Sequence, residues 1–139
     1  MTDEKLATIL KDKINLDDCE EIEPNNLYYI RAKVKQRVYN GESTYCYSNH
    51  EYEFIVIAEN GVKKAIILRC GTIDLQWHVL KEWRGKHMLS NALRTGIINK
   101  VWPDNKEITC CYDIGEDYES KYSMTQHLAN IAGLKLVNK

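Results

Sequence analysis

The sequence predicts an α+β fold, in which a mixed, mostly antiparallel sheet carries packed helices. Apolar residues recur every three or four positions before residue 16, every second position in 30–38 and 73–79, and every fourth position in 89–101, while 54–57 and 65–68 are continuous apolar runs. The turn-forming pairs Asn40-Gly41 and Asn60-Gly61 separate the alternating stretches. The predicted order is therefore helix, four strands, helix, strand, helix, strand, which is typical of a sheet with helices packed against it.

The composition fits one globular domain. The chain has 139 residues, 44% of them hydrophobic, so we expect a single domain over 1–139, with an N-terminal helix and acidic linker (1–24) and a sheet-and-helix body (25–139). The 19 basic and 20 acidic residues give a net charge of −1, which argues against a nucleic-acid partner. No apolar run is long enough to cross a membrane and the N-terminus is polar, so we expect a cytoplasmic protein without membrane contact.

The five cysteines do not have the spacing of a metal site. Cys110 and Cys111 are adjacent in a strand-like segment, where neighbouring side chains point to opposite faces. We therefore expect reduced thiols and no bound metal.

Residues 3–16 have the pattern of an amphipathic helix. Asp3 is suited to cap its start, and the apolar residues on one face are Leu6, Ile9, Leu10 and Ile14. The run 17–23 is acidic and is followed by the turn-forming segment Pro24-Asn25-Asn26. We predict a linker there, with the helix packed on the main body as an appendage.

From residue 27 the pattern is that of a half-buried strand. Apolar residues alternate with the basic residues Arg31, Lys33, Lys35 and Arg37. We interpret this basic face as the solvent side of the strand, because charges there block edge-to-edge pairing. The alternative is a basic and aromatic surface that binds nucleic acid or an acidic peptide.

Three further strands are predicted around residues 54–57, 65–68 and 73–79. In the last of them the apolar face comprises Ile73, Leu75, Trp77 and Val79, and the polar face comprises Asp74, Gln76 and His78. Tight turns join the four strands, so we predict an antiparallel meander.

The C-terminal part returns to helical periodicity. A helix is predicted over 88–101 from the spacing of Leu89, Leu93, Ile97 and Val101, and Pro103 prevents its continuation. A short strand follows from Glu107 to Tyr112. Ser123 and Gln126 form a capping-box pattern that predicts the start of the last helix, Gly133 is placed to end it, and 134–137 predicts a last short strand.

The junction between the fourth strand and the next helix is the most informative segment. The strand ending at Val79-Leu80 leads through the basic segment Arg84-Gly85-Lys86 into the helix at Met88. The first N–H groups of a helix have no partner inside it and carry partial positive charge, to which two basic side chains add full charges. Such a junction is suited to bind a phosphate or a pyrophosphate.

Two segments carry a family resemblance. Segment 79–93 resembles the acetyl-CoA-binding signature of the GNAT superfamily of acyl-CoA N-acyltransferases through Val79, Trp83, Arg84, Gly85, Lys86, Met88, Ser90 and Leu93. Segment 123–134, which ends in Gly133-Leu134, is similar to the C-terminal helix of that family, especially in its ribosomal-protein acetyltransferase branch. The resemblance spans residues 62–138 and implies a GNAT-like fold with an extra N-terminal helix.

The resemblance also implies an activity. Acetyl-CoA would be the acyl donor, and a primary amine on a small molecule or a protein would attack its thioester directly, without a metal. The implied coenzyme-binding residues are Val79, Leu80, Arg84, Gly85, Lys86, His87, Met88, Leu89 and Ser90. The loop amides would hold the pyrophosphate, and the strand near Val79 and Leu80 would pair with the pantetheine arm.

Several positions depart from the family pattern. His87 and Leu89 replace glycines of the phosphate loop, and Ala129 stands where many members carry a tyrosine that protonates the leaving thiolate. Ile73 and Leu75 occupy inward positions of the strand that often carry Glu or His.

Tyr122 is then the candidate catalytic residue, as a proton donor to the thiolate. The alternative function is a catalytically inactive protein of this fold that acts as a binding or interaction module.

Overall fold

The computed structural model describes residues 3–22, 26–39, 45–70, 74–109 and 118–137. Its helices are α1 (Asp3–Thr8), α2 (Met88–Arg94), α3 (Ile97–Val101) and α4 (Tyr118–Ala132). Its strands are β1 (Glu20–Ile22), β2 (Leu27–Tyr39), β3 (Tyr45–Glu59), β4 (Val62–Cys70), β5 (Asp74–Val79), β6 (Glu107–Thr109) and β7 (Lys135–Val137). A π-helical turn (Ile9–Lys13) continues α1, and Leu16–Asp18 and Lys81–Trp83 form 3₁₀ turns. The predicted α+β class is confirmed.

The first five strands form one antiparallel sheet in chain order. The predicted meander is confirmed, and so is its second hairpin turn, in which Asn60 and Gly61 have φ angles of 54° and 79°. Positive φ at both central residues defines a type I′ turn, which Asn-Gly favours. The turn predicted at Asn40-Gly41 lies outside the described residues, but the pairing of β2 with β3 reaches Tyr39 and Tyr45 on its two sides.

Each face of this sheet carries an apolar cluster, because alternate residues of a strand point to opposite sides. Phe54, Ile66 and Leu68 are fully buried on the face that α1 covers. Ile55 and Ile67 are fully buried on the other face, under α2, α3 and α4. The apolar face predicted for the N-terminal helix is confirmed, since all four of its residues are buried: Leu6, Ile9, Leu10 and Ile14.

Two strands extend beyond the rest of the sheet as a two-stranded ribbon. β1 pairs with β2 only as far as Tyr29, and β4 pairs with β3 only from Glu53 onward. The pairing between β2 and β3 continues to Tyr39 and Tyr45. The far half of this hairpin therefore has no third strand among the described residues.

The basic face of β2 lies on this ribbon. Arg31, Lys33 and Lys35 are exposed, as the solvent-face interpretation predicts. Arg31 forms ion pairs with Glu51 at 3.3 Å and with Glu53 at 3.6 Å, so part of its charge is neutralised across the strand pair.

The segment predicted as an acidic linker is in part a strand, and this prediction was wrong. β1 pairs with the start of β2, and Ile22 packs against the apolar cluster under α2. One apolar residue was enough to fix the strand, while the exposed Glu20 and Glu21 protect the sheet edge with charge. Because α1 covers one face of the sheet, it is part of the core rather than an appendage.

The helix predicted over 88–101 is broken. α2 ends at Arg94, Gly96 adopts a left-handed φ of 77°, and α3 starts at Ile97. Leu89 and Ile97 are nevertheless both buried in the same cluster, which explains why the spacing looked continuous.

The last helix begins at Tyr118, five residues before the capping-box pattern that predicted its start at Ser123. Its predicted end is confirmed, since Gly133 has a φ of 77° and the N–H of Leu134 donates to the carbonyl of Ala129 at 2.8 Å. This is the hydrogen-bond pattern of a Schellman motif.

A second, two-stranded sheet completes the fold. β6 covers the first half of the strand predicted from Glu107 to Tyr112, whose remainder lies outside the described residues. The predicted last strand is confirmed as β7, and it pairs with β6 in parallel, with α4 as the crossover between them. None of the helices described is both long and apolar enough to span a membrane.

Candidate functional site

The basic loop 84–87 passes around the end of the five-stranded sheet. Leu80 and Trp83, just before it, pack on the α1 side, whereas Leu89, just after it, packs on the α2 side. The chain changes faces within a few residues, and Gly85 and His87 both adopt left-handed φ angles, 78° and 58°, to make the turn. Glycine reaches this conformation freely, whereas histidine reaches it only at an energetic cost.

Side chains at the end of the sheet anchor the segment before the loop. The N–H of Leu80 donates to the carbonyl of Lys64 at 3.0 Å, beside a register shift in the β3–β4 pair. The buried Lys64 ammonium lies 4.0 Å from the ring centre of Trp83 and 3.8 Å from the carboxylate of Glu59. Lys86 lies over the same ring at 5.3 Å. Trp83 therefore gathers two lysine ammonium groups beside the loop through cation–π contacts.

The loop presents backbone donors. Within the stretch 74–109, which is described without a break, no backbone carbonyl accepts a hydrogen bond from the N–H groups of residues 85–90, while the N–H of Asn91 donates to His87 at 2.9 Å. Successive N–H groups that lack a carbonyl partner within this stretch, next to left-handed residues, have the arrangement typical of a concave anion site. Because α2 has only seven residues, most of the positive charge here comes from Arg84 and Lys86.

Among the described residues, no strand pairs with the outer edge of β5, which runs up to the same loop. β5 is the outer strand of its sheet, and β6 lies beside it but belongs to the other sheet. Since Leu80 donates to β4, the backbone groups of Val79 and Trp77 point away from β4, by the alternation of antiparallel pairing. The Val79 carbonyl accepts a hydrogen bond from Nε of Arg84 at 3.0 Å.

The other flank of α2 borders a cavity of about 420 Å³. Its floor is formed by the buried Leu27, Ile57 and Ala92, and its rim includes Lys86 and Asn91. The cavity and the loop are therefore neighbours that share one lysine.

The structure brings part of the predicted site together. Val79, Arg84, Gly85, Lys86 and His87 meet at the end of β5, with only the start of α2 beyond them. The side chains of Leu80, Leu89 and Ser90 are buried, and those of the two leucines belong to the apolar clusters. These three residues can contribute only backbone groups to a ligand. Met88 is partly buried and lines the cavity. Tyr122 lies in α4, and its side chain is outside the described part of the structure.

Sequence reasoning missed Lys64, Glu59 and Asn91. The available signal was a lysine directly before the apolar run Ala65–Leu68, at a position that alternation assigns to the interior. Its burial depends on a register shift and on Trp83, and neither can be deduced from spacing.

A second polar cluster lies on the α2 side of the sheet, at the end away from the loop. The Tyr29 hydroxyl donates to the Glu53 carboxylate at 2.5 Å, and Arg69 lies 3.3 Å from the same carboxylate. Burial raises the pKa of Tyr29, and its hydrogen bond to Glu53 raises it further. Burial opposes ionisation of Glu53, but the hydrogen bond from Tyr29 and the charges of Arg69 and Arg31 outweigh it and lower its pKa. Glu53 is thus held as a carboxylate that links β2, β3 and β4.

His78 connects β5 to α1. Its Nδ1 lies 3.6 Å from a carboxylate oxygen of Asp3, and its side chain is 9% exposed. Burial lowers the pKa of His78, although the neighbouring Asp3 acts in the opposite direction. No group of three or more His, Cys, Asp or Glu side chains within the described ranges is arranged to hold a metal ion.

Comparison with known proteins gives no match to a family model, to a curated protein or to a solved structure.

Proposed function

We propose that this protein binds acetyl-CoA at the loop 84–90 and transfers the acetyl group to a primary amine. The observation that carries the proposal is the junction, within the described part of the chain, of a strand edge that no other strand pairs with and a basic loop whose N–H groups find no backbone carbonyl. Coenzyme A has the matching chemistry, because a pyrophosphate is joined to an arm that contains two amides. The resemblance of segments 79–93 and 123–134 to the GNAT superfamily supports the same assignment.

The pyrophosphate half fits the loop. The N–H groups of residues 85–90 need acceptors, and phosphate oxygens are strong acceptors. The charges of Arg84 and Lys86 favour a dianionic group at the same point. Lys86 is already held close by Trp83, so less side-chain entropy is lost when it binds.

The pantetheine half fits the edge of β5. Its amides can exchange hydrogen bonds with the outward backbone groups of Trp77 and Val79, in the way that a peptide adds to a sheet edge. Nε of Arg84 donates to the Val79 carbonyl, so Arg84 has to release this carbonyl when the arm binds. The four remaining N–H groups of the guanidinium are then directed to phosphate.

The reaction needs little from the protein beyond positioning. The neutral amine attacks the thioester carbonyl, an amide bond forms, the C–S bond breaks, and the proton lost by the amine leaves to solvent. The thiolate takes up a proton to give free coenzyme A. Tyr122 is our candidate donor for this proton, since α4 carries it near its N-terminal end.

A specific observation favours a second candidate, a protein that binds the coenzyme without transferring the acyl group. Leu75 is 2% exposed and Ala129 is fully buried, so both belong to the core. Neither position supplies the acid or base that many members of the resembled family carry there. A coenzyme-binding module keeps the loop and the open edge but lacks turnover.

Calorimetric titration with acetyl-CoA tests the shared part of both candidates. We expect one site per chain, and Lys86→Gln should weaken binding about tenfold or more, because a charge-assisted hydrogen bond is lost. Lys81→Gln is the matched control, since Lys81 is exposed in the 3₁₀ turn before the loop. A Kd of about 1 mM would already be a weak affinity. Absence of binding at about 1 mM acetyl-CoA would therefore reject both candidates.

Release of free thiol in the presence of primary amines separates the two candidates. Turnover above the rate without enzyme supports the transferase, and binding without turnover supports the module. Tyr122→Phe removes only the hydroxyl. We therefore expect turnover to be slower by about 10²–10⁴-fold, while the affinity for acetyl-CoA stays unchanged. Equal turnover in this variant would show that Tyr122 is not the proton donor.

A further inference from the structure

The cavity beside α2 differs in chemistry from the strand edge. Leu27, Ile57 and Ala92 give it an apolar floor, and Met88 adds a flexible, polarisable side chain. Its volume of about 420 Å³ lies within the range of small-molecule sites. A flat, largely apolar ring with polar atoms on its edge fits such a cavity better than a flexible polar chain does.

Asn91 supplies the polar edge contact. It is exposed to solvent on α2, lines the cavity, and its Oδ1 accepts a hydrogen bond from Arg94 at 3.4 Å. This contact orients the amide without using its Nδ2 donor, and it leaves a second lone pair on Oδ1. An asparagine amide with both groups available pairs with the donor and acceptor on the edge of adenine.

The position of the cavity relates it to the loop. β5 and its open edge form one side of the sheet, whereas the cavity lies beside the ends of β2 and β3, with α2 between the two sites. Lys86 belongs to both the loop and the cavity rim. A ligand whose phosphates lie on the loop can therefore extend one end along β5 and the other end into the cavity.

We propose that this cavity binds the adenine ring of the coenzyme, with Asn91 pairing to the edge of the base and Met88 and Ala92 packing against its face. The inference rests on the proposed function, because that function places the phosphates at Lys86. It adds a base-specific site that separates adenine nucleotides from other purine nucleotides. On the same edge guanine presents an oxygen in place of the amino group from which Oδ1 would accept, so the amide can form only one of the two hydrogen bonds, and this loss sets the specificity.

Two nucleotide probes and one coenzyme fragment test the proposal. Adenosine 3′,5′-bisphosphate carries the base without the arm, guanosine 3′,5′-bisphosphate carries the wrong base, and 4′-phosphopantetheine carries the arm without a base. We expect the affinity for the adenosine probe to exceed that for the guanosine probe by about tenfold or more. Tenfold is the lower end of the discrimination that one bidentate pair provides.

The variants localise the effect. Asn91→Leu should remove the preference for adenosine and leave the affinity for 4′-phosphopantetheine unchanged. Asn99→Leu is the matched control, because Asn99 is an exposed asparagine on α3 outside the cavity. If Asn91→Leu does not fold, Asn91→Asp keeps the size of the side chain but offers only acceptors. These suit the N1–H and amino groups of guanine, so this variant should shift the preference toward the guanosine probe.

The outcomes distinguish this inference from the proposed function. Coenzyme A binding that is equally strong in the parent and in both Asn91 variants would overturn the cavity assignment and leave the function intact. Binding of the adenosine probe without binding of coenzyme A would overturn the function and leave a nucleotide site. If no probe binds, both are rejected.

Discussion

A single residue, His87, combines local backbone strain with a position in the proposed phosphate-binding loop. Its φ of 58° is unfavourable for a side chain with a Cβ, and it makes no side-chain hydrogen bond as the residue before α2. His87→Gly should therefore raise the free energy of unfolding by up to about 1 kcal/mol, since glycine adopts this φ without strain.

The same variant should bind acetyl-CoA more tightly, because the loop backbone can then approach the phosphates more closely. Urea denaturation and calorimetric titration measure the two effects separately. Weaker binding by a more stable variant would mean that the imidazole donates to phosphate rather than obstructing it.

Removal of the Arg84 side chain is expected to have opposite effects on the affinities for coenzyme A and for pantetheine. Its Nε donates to the Val79 carbonyl, and its guanidinium carries a positive charge at the start of the loop 84–87. Arg84→Ala should weaken coenzyme A binding, since a phosphate contact is lost, but should strengthen binding of pantetheine, which has no phosphate and needs only the strand edge. Titration of both ligands measures this. A loss of affinity for pantetheine as well would show that Arg84 supports the edge rather than blocking it.

The stability of the protein should depend on pH through His78. Burial between β5 and α1 keeps the pKa of His78 below its usual value of 6.5. As the pH falls below about 6.5, the unfolded chain takes up a proton that the folded protein binds more weakly, so the free energy of unfolding decreases by at most about 1.4 kcal/mol per pH unit.

Urea denaturation at pH 7.5 and 5.5 measures this dependence. His78→Gln should reduce the difference between the two pH values, whereas His127→Gln, which changes an exposed residue of α4, should leave it unchanged. A difference that persists in full in His78→Gln would assign it to other groups.

At the scale of elements, the break between α2 and α3 depends on one glycine. A Cβ at Gly96 would meet no atom within 4 Å, so the conformation rather than crowding requires glycine there. Gly96→Ala should lower the free energy of unfolding by about 1–2 kcal/mol, the cost of a left-handed residue with a Cβ. Gly96→Asn should cost less, because asparagine tolerates this conformation better. Equal stability of the alanine variant would indicate that α2 and α3 can join into one helix.

The elements that the sequence predicts well are those whose burial follows a strict period. The apolar face of Leu6, Ile9 and Leu10 was predicted because it faces one core cluster. The meander strands were predicted because their apolar stretches are bounded by turn signals and supply both clusters. The break at Gly96 was missed because the apolar spacing of Leu89 and Ile97 survives it. Periodicity reports which side of an element is buried, and it does not report whether the backbone is continuous.

The candidate site was predictable only in part, for a related reason. Arg84, Gly85 and Lys86 are adjacent in sequence, so their charge could be located before the fold was known. The anchoring of the loop depends on Lys64 and Trp83, which meet because of a register shift between β3 and β4. Contacts of this kind join distant segments, and a single sequence contains no pattern for them.

At the scale of the whole molecule, the sheet separates two apolar clusters that share no side chain. α1 stabilises one of them and α2 to α4 stabilise the other. The loop 84–87 connects the two sides, since Trp83 packs on the first and Leu89 on the second.

Core substitutions on either side, such as Leu10→Ala or Leu93→Ala, should each lower the free energy of unfolding by about 2–5 kcal/mol by leaving a cavity. Their effects should add, because the two sites have no common partner. A thermodynamic cycle with the double variant measures this, and strong non-additivity would show that the clusters are coupled through the sheet.

The position of β4 between β3 and β5 has a consequence for the exchange of its amide hydrogens with deuterium. Ala65, Ile66, Ile67 and Leu68 are all fully buried, and they alternate between the two clusters. If α1 detaches transiently, solvent reaches only one side of the strand, and its hydrogen bonds to β3 and β5 stay closed. The amides of β4 can therefore exchange only when the whole domain opens, whereas those of α1 exchange through a smaller and more frequent opening. We therefore expect the slowest-exchanging amides in β4 and in the equally buried segment Phe54–Val56 of its neighbour β3, and their protection measures the global free energy of unfolding.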